Sequence, residues 1–148
     1  MRLTLAVALA LALPLAAHAR ATKDACGLLT RAQVAAAIGE PVKTTKGGVS
    51  ATGALYCNWT GNDTHLLARG ISLVAATDFV TQRYDNYLTL IKPATPVHGL
   101  GLAAVTDGTA ILARNTRAMV EVAPLFKGAG ITIAAVKTLA RTALARAT

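Results

Sequence analysis

Cys26 and Cys57 are the residues whose type and spacing carry the clearest chemistry in this chain. A reactive or metal-binding pair would want a Cys-x-x-Cys step or a nearby Cys/His pattern, and neither accompanies them. In an oxidising compartment the simplest outcome is one disulfide. Closing a loop of about 32 residues would stabilise the fold by about 3 to 4 kcal/mol through the unfolded chain's lost freedom.

Other chemistries find less support. Ser50 and Ser72 are the only serines, and neither sits in a Gly-x-Ser-x-Gly turn, which argues against a serine hydrolase. His65 and His98 lack a His-x-x-x-His step or an Asp-rich metal loop, so both read as surface or loop histidines. A small enzyme would have to pair His65 with Asp63, or His98 with a distant carboxylate. The acidic residues Asp24, Glu40, Asp63, Asp78, Asp85, Asp107 and Glu121 fall mostly at caps and turns, with no evident acid/base pair. Gly99-Leu100-Gly101 lacks the third glycine and following helix of a dinucleotide fingerprint and reads as a turn. No cofactor, metal or catalytic residue is expected from these patterns.

Lysine and arginine number 15 against 7 acidic residues, for a net charge of +8 with His neutral. That sign favours anionic partners in general, an envelope polymer, a lipid head group, nucleic acid or an acidic exported protein, and selects none of them. The basic residues are dispersed along the chain and read first as a solvated surface. Nucleic acid is not expected: one Trp, three Tyr and two Phe give little to stack bases on, and several of them belong to the core.

The elements that must position these groups begin after an export signal. Met1-Arg2 is a positive start, Leu3 to Ala17 is almost unbroken Leu, Ala and Val, and Ala17-His18-Ala19 has the form of a cleavage site. Ala19-Arg20-Ala21 offers a second. The apolar run of about 15 residues falls short of the roughly 20 a spanning helix needs. Residues 1–19 therefore read as a cleaved signal peptide and 20–148 as a single periplasmic or secreted domain, not membrane-spanning after cleavage. Such a length suffices for one core.

Thr30-Arg31-Ala32-Gln33 is a capping box, Leu29 and Val34 have staple spacing, and Gly39 suits a left-handed stop, so a helix is predicted over 31–38. Pro41 to Lys46 reads as an edge strand and 47–53 as a loop. Leu55, Cys57 and Trp59 alternate with polar or smaller residues, giving a half-buried strand with Cys57 facing the core. A strand over 66–76 follows, with Leu67, Ile71 and Leu73 on one face. Thr77 or Asp78 caps a helix whose apolar face is Val80, Tyr84, Tyr87, Leu88 and Ile91, closed by Pro93. A short strand near 102–105, a turn at Asp107-Gly108 and a hairpin of 109–114 with 117–123 come next, ended by Pro124. The terminal helix, 131–147, sets Ile133, Val136, Leu139, Ala140, Ala143 and Leu144 on one side. Lys137, Arg141 and Arg146 on its other side are the candidate anion-binding face. The order favours an α+β fold, a mainly antiparallel sheet with three packed helices.

Asp24-Ala25-Cys26-Gly27-Leu28-Leu29-Thr30, Ile38-Gly39-Glu40-Pro41-Val42, Cys57-Asn58-Trp59 and Val97-His98-Gly99-Leu100-Gly101 together carry a resemblance. The chain resembles a broad group of small bacterial envelope proteins, many of them lipoproteins of unknown function. They share an Asp-x-Cys-x-Leu-Leu-Thr opening, a second Cys before an aromatic and a Gly-Leu-Gly turn. The resemblance implies a PsbP-like α/β sandwich and an envelope location, and no reaction. The chain departs from the group where Leu102 replaces an acidic residue and where the lipid-acceptor Cys is missing. A non-catalytic envelope accessory or binding module follows as the expected function, ahead of a small envelope enzyme or an inhibitor of another exported protein.

Overall fold

The structure, a computed structural model, describes residues 24–62 and 68–147. Residues 1–19, expected to be a signal peptide, and the His65 and Asp63 pair lie outside them. A short 3₁₀ turn, Ala25–Leu28, precedes α1 (Arg31–Ile38), β1 (Thr44–Val49), β2 (Leu55–Thr60), β3 (Gly70–Ala76) and α2 (Val80–Leu88). Then come β4 (Thr95–Pro96), β5 (Ala103–Thr106), β6 (Ile111–Arg114), β7 (Met119–Pro124) and α3 (Ile133–Arg146). The seven strands form one sheet in the order β1-β2-β3-β7-β6-β5-β4, every neighbouring pair antiparallel. The expected α+β architecture with three packed helices is what the chain adopts.

Side-chain alternation divides the apolar residues between two layers. Cys57, Trp59, Ile71, Leu73, Val120 and Val122 point to one face and pack with Val34 and Ile38 of α1 and Val136, Leu139 and Ala140 of α3. On the opposite face Leu112 and Met119 pack with Tyr84 and Ile91, joined by the partly buried Val80, Tyr87 and Leu88. The stripe expected of α2 is therefore the one it buries, and Ile91 reaches the core although the helix stops three residues earlier. Arg114 lies over the Tyr84 ring, 5.3 Å from its centroid, at the margin of this layer.

α1 runs over its predicted span. The Thr30 hydroxyl accepts from the Gln33 amide at 3.2 Å, the Thr30 amide donates to the Gln33 side chain at 2.9 Å, and Gly39 closes the helix at φ 75°. β1, by contrast, is displaced three residues along the chain from the expected edge strand and includes Gly47 and Gly48, which read as loop. Both glycines are there for close approach. A Cβ on Gly47 would lie 2.6 Å from the Cys26 sulfur, and one on Gly48 would lie 3.0 Å from the Tyr56 hydroxyl. Described β3 begins at Gly70, later than expected, with residues 63–67 outside the described chain.

The cap of α2 also differs. Neither Thr77 nor Asp78 caps it; Phe79 occupies the N-cap in the left-handed region, φ 46° and ψ 39°, with no side-chain cap bond. Asp78 is engaged elsewhere, 3.0 Å from Arg83, whose other terminal nitrogen donates to the Thr52 carbonyl at 2.8 Å. The Arg83 guanidinium holds the Asp78 carboxyl below its usual range. For a residue with a Cβ the left-handed conformation costs roughly 1 to 2 kcal/mol. α3 starts at Ile133, two residues later than expected, because Thr132 caps it by accepting from the Ala135 amide at 3.2 Å. Ile133, expected on the buried stripe, is the first residue of the helix and remains 38% exposed.

Candidate functional site

Cys26 and Cys57 meet at disulfide distance, their Cα atoms 5.0 Å apart, and tie the turn ahead of α1 to the centre of β2. Cys57 is fully buried. The pair staples one helix entrance to the sheet and leaves the helices above it as the surface on which a partner could act.

That surface is one-signed. α1 and α3 carry Arg31, Lys137, Arg141 and Arg146 and no carboxylate. Between them runs an open groove of about 290 Å³, floored by Ala36 and Ala37 of α1 and Ala135 and Leu139 of α3, with Gln33, Thr138 and Thr142 supplying polar groups. Its floor is low because small side chains occupy both helices where they face each other.

The three cations of the candidate face are not brought together as one patch. Nine positions separate Lys137 from Arg146, about two and a half helical turns, so they flank the buried stripe of α3 on opposite sides. Lys137 donates to the His98 carbonyl at 3.3 Å. Arg146 donates to the Leu28 carbonyl at 3.1 Å and to the Gln33 side chain at 3.2 Å. Arg31 turns back to the Val42 and Lys43 carbonyls. Each of these long side chains lays its stem along the fold and spends donors on main chain, which is what amphipathic cations at a helix margin commonly do. Arg141 stands between the flanks, exposed, with no hydrogen bond or ion pair to a described residue. Lys137 keeps donors in reserve, since its ammonium has three. An incoming anion would therefore meet Arg141 first, with Lys137 one turn away.

Ser50 bonds the Thr52 hydroxyl and the Ala54 amide at 2.9 and 3.1 Å, closing the β1–β2 turn. Ser72 sits within β3, opposite Asn58 and Ala123. His98 is exposed in the turn before β5. Among the described residues no group of three His, Cys, Asp or Glu could hold a metal ion. Asp107 clamps its turn by accepting from the Thr109 amide, the Thr109 hydroxyl and the Ala110 amide, each at 2.8 Å. Burial works to raise its carboxyl, but those bonds and the charge of Lys127 outweigh it and hold the group below the usual carboxylate range.

Periodicity alone did not reveal Glu121. It lies on β7 between Val74 and Leu112, on the face α2 covers, and burial, aided by the Asp107 charge, pushes its carboxyl up. A folded-state pKa raised above the unfolded one gives a contribution that is complete below the ordinary carboxylate range and is lost as pH rises through the folded value. Glu121→Gln is therefore expected to unfold a few degrees higher than the natural chain at pH 7. The gap should shrink at pH 4, and thermal scans at the two pH values check it. A gap that grows toward pH 4 would contradict the burial cost assigned to Glu121.

Comparison with known proteins finds no matching family model, no matching curated protein and no matching solved structure, so the reading of function rests on the geometry above.

Proposed function

We propose that this chain is an exported, non-catalytic binding module of the bacterial envelope, periplasmic or secreted, that takes an anionic partner on its α1–α3 face. The observation that carries the reading is the carboxylate-free pair of helices with Arg141 exposed between two anchored cations. Electrostatics of one sign on one face steers an oppositely charged surface and orients it. The export reading draws on the leader-like residues 1–19, on the disulfide-distance cysteines and on the resemblance to small envelope proteins. No helix among the described residues is long and apolar enough to cross a membrane. The partner is an anionic envelope polymer, a lipid head group or an acidic surface of another exported protein.

Immobilised heparin, a generic sulfated polymer, is a direct probe. The natural chain is expected to be retained, and Arg141→Glu to weaken binding about three- to ten-fold, with a shallower dependence on salt. Lys92→Glu, placed beyond α2 on the other side of the sheet, serves as the control and should elute with the natural chain. Equal losses from both reversals would mean that net charge alone acts, and the assignment of the face would fail. A turnover abolished by one side-chain substitution would end the non-catalytic part of the reading.

A further inference from the structure

We propose a second binding site, on the solvent side of α2, that takes one ring of a neutral saccharide with Phe79 as its platform. Gln82 and Asn86 stand one turn apart on α2, turned away from the stripe of Val80, Tyr84, Tyr87 and Leu88 that meets the sheet, and the N-cap residue Phe79 lies beside them. With Thr52 and Arg83 they line a dent of about 230 Å³. Phe79 is 72% exposed, the ring lying open beside polar neighbours and outside both apolar layers of the core.

The surroundings select the ligand. Gln82 and Asn86 each offer a carbonyl acceptor and an amide with two donors, one turn apart, which suits hydroxyls that both donate and accept. An aromatic face beside them supplies an apolar surface for the C–H side of a sugar ring. A peptide or protein anchor would call for several apolar neighbours around Phe79, whereas its companions in the dent are polar. The charge is locally balanced, because Arg83 and Asp78 pair at 3.0 Å, so nothing here favours an anion over a neutral ring. Arg83, with only 14% of its side chain exposed, also bonds the Thr52 carbonyl at 2.8 Å and so locks the β1–β2 turn to the helix. The helix and the turn that carry the dent are thereby tied together before a ligand arrives, which lowers the cost of ordering them on binding. A dent of this size is smaller than the roughly 300 to 1,000 Å³ of pockets that enclose whole ligands, which fits one ring of a longer chain.

The proposal rests on the exported location proposed above, where glycans are accessible, and not on the anion-binding α1–α3 face. Chitotriose, maltotriose and cellotriose are the probes, titrated into the labelled full-length chain and read as amide shifts by NMR. At least one is expected to move amides confined to residues 52–53 and 79–86. Phe79→Ala should weaken that binding ten-fold or more, Phe79→Trp should retain it, and Gln82→Ala with Asn86→Ala should lose most of it. Arg141→Glu should bind the sugar as the natural chain does, so failure at the helical face and failure here are told apart. Thermal unfolding of each variant confirms that it is folded. No shift with any of the three sugars, or binding that survives Phe79→Ala, overturns the site.

Discussion

Replacing both cysteines, Cys26→Ser with Cys57→Ser, is expected to lower the stability of the domain by about 3 to 4 kcal/mol. The magnitude follows from chain entropy: the two residues are 31 positions apart, and opening that loop returns its freedom to the unfolded state. Of a typical total of roughly 5 to 15 kcal/mol, this is a large share. Structure adds a local cost to the entropic one, because Cys57 is fully buried beside Trp59 and Gly47 crosses against the Cys26 sulfur, so two hydroxyls would replace sulfur in a closely packed place. Urea unfolding of the natural and doubly substituted chains measures the difference, and thiol counting on the native chain should find none free. A loss under about 1 kcal/mol would mean that the cross-link does not constrain the unfolded protein, and the tie between the first turn and β2 would carry little of the stability.

Local signals were legible and tertiary ones were not. The capping box of Thr30 and Gln33 and the stop at Gly39 act locally at the two ends of α1, so its bounds could be read from the residues between Thr30 and Gly39. Alternation through Leu55, Cys57 and Trp59 reported burial for the same reason, each side chain's face being set by its own strand. Gly47 misled because its small size answers to the Cys26 sulfur on another element, and Gly48 because it faces the Tyr56 ring across the β1–β2 hairpin. Asp78 had the chemistry of a cap, yet Arg83 recruits its carboxylate and leaves Phe79 in the cap position. Of the candidate face, the helix and its polarity were readable, but the Leu28 and His98 carbonyls that occupy Arg146 and Lys137 belong to the tertiary fold. The groove beside Arg146 escaped notice because Ala36, Ala37 and Ala135 carry no signal apart from each other.

Gly101→Ala is expected to cost about 2 to 4 kcal/mol, against about 1 kcal/mol for Gly99→Ala, although the two glycines share a left-handed backbone and stand two positions apart. Their φ angles are 64° and 72°, so the conformational penalty of a Cβ is similar at both. What differs is space. Around Gly99 nothing lies within 4 Å of an added Cβ, whereas at Gly101 it would run into the Arg114 carbonyl oxygen and come 2.8 Å from the Leu144 side chain. That carbonyl accepts from the Leu102 amide at 2.8 Å, so moving it disturbs the start of the β5–β6 pairing. Leu144 is buried against the sheet in α3, and Arg114 lies over Tyr84 on the opposite face. One methyl group would thus push on both helical layers through one strand end. The turn Gly99-Leu100-Gly101 is then a packing device: Leu100 is inserted into the core, and Gly101 lets the chain pass under α3 on its way into β5. Urea midpoints for the two single variants decide the point. Equal losses would show that backbone conformation alone fixes these glycines and that the close approach to Arg114 and Leu144 relaxes at little cost.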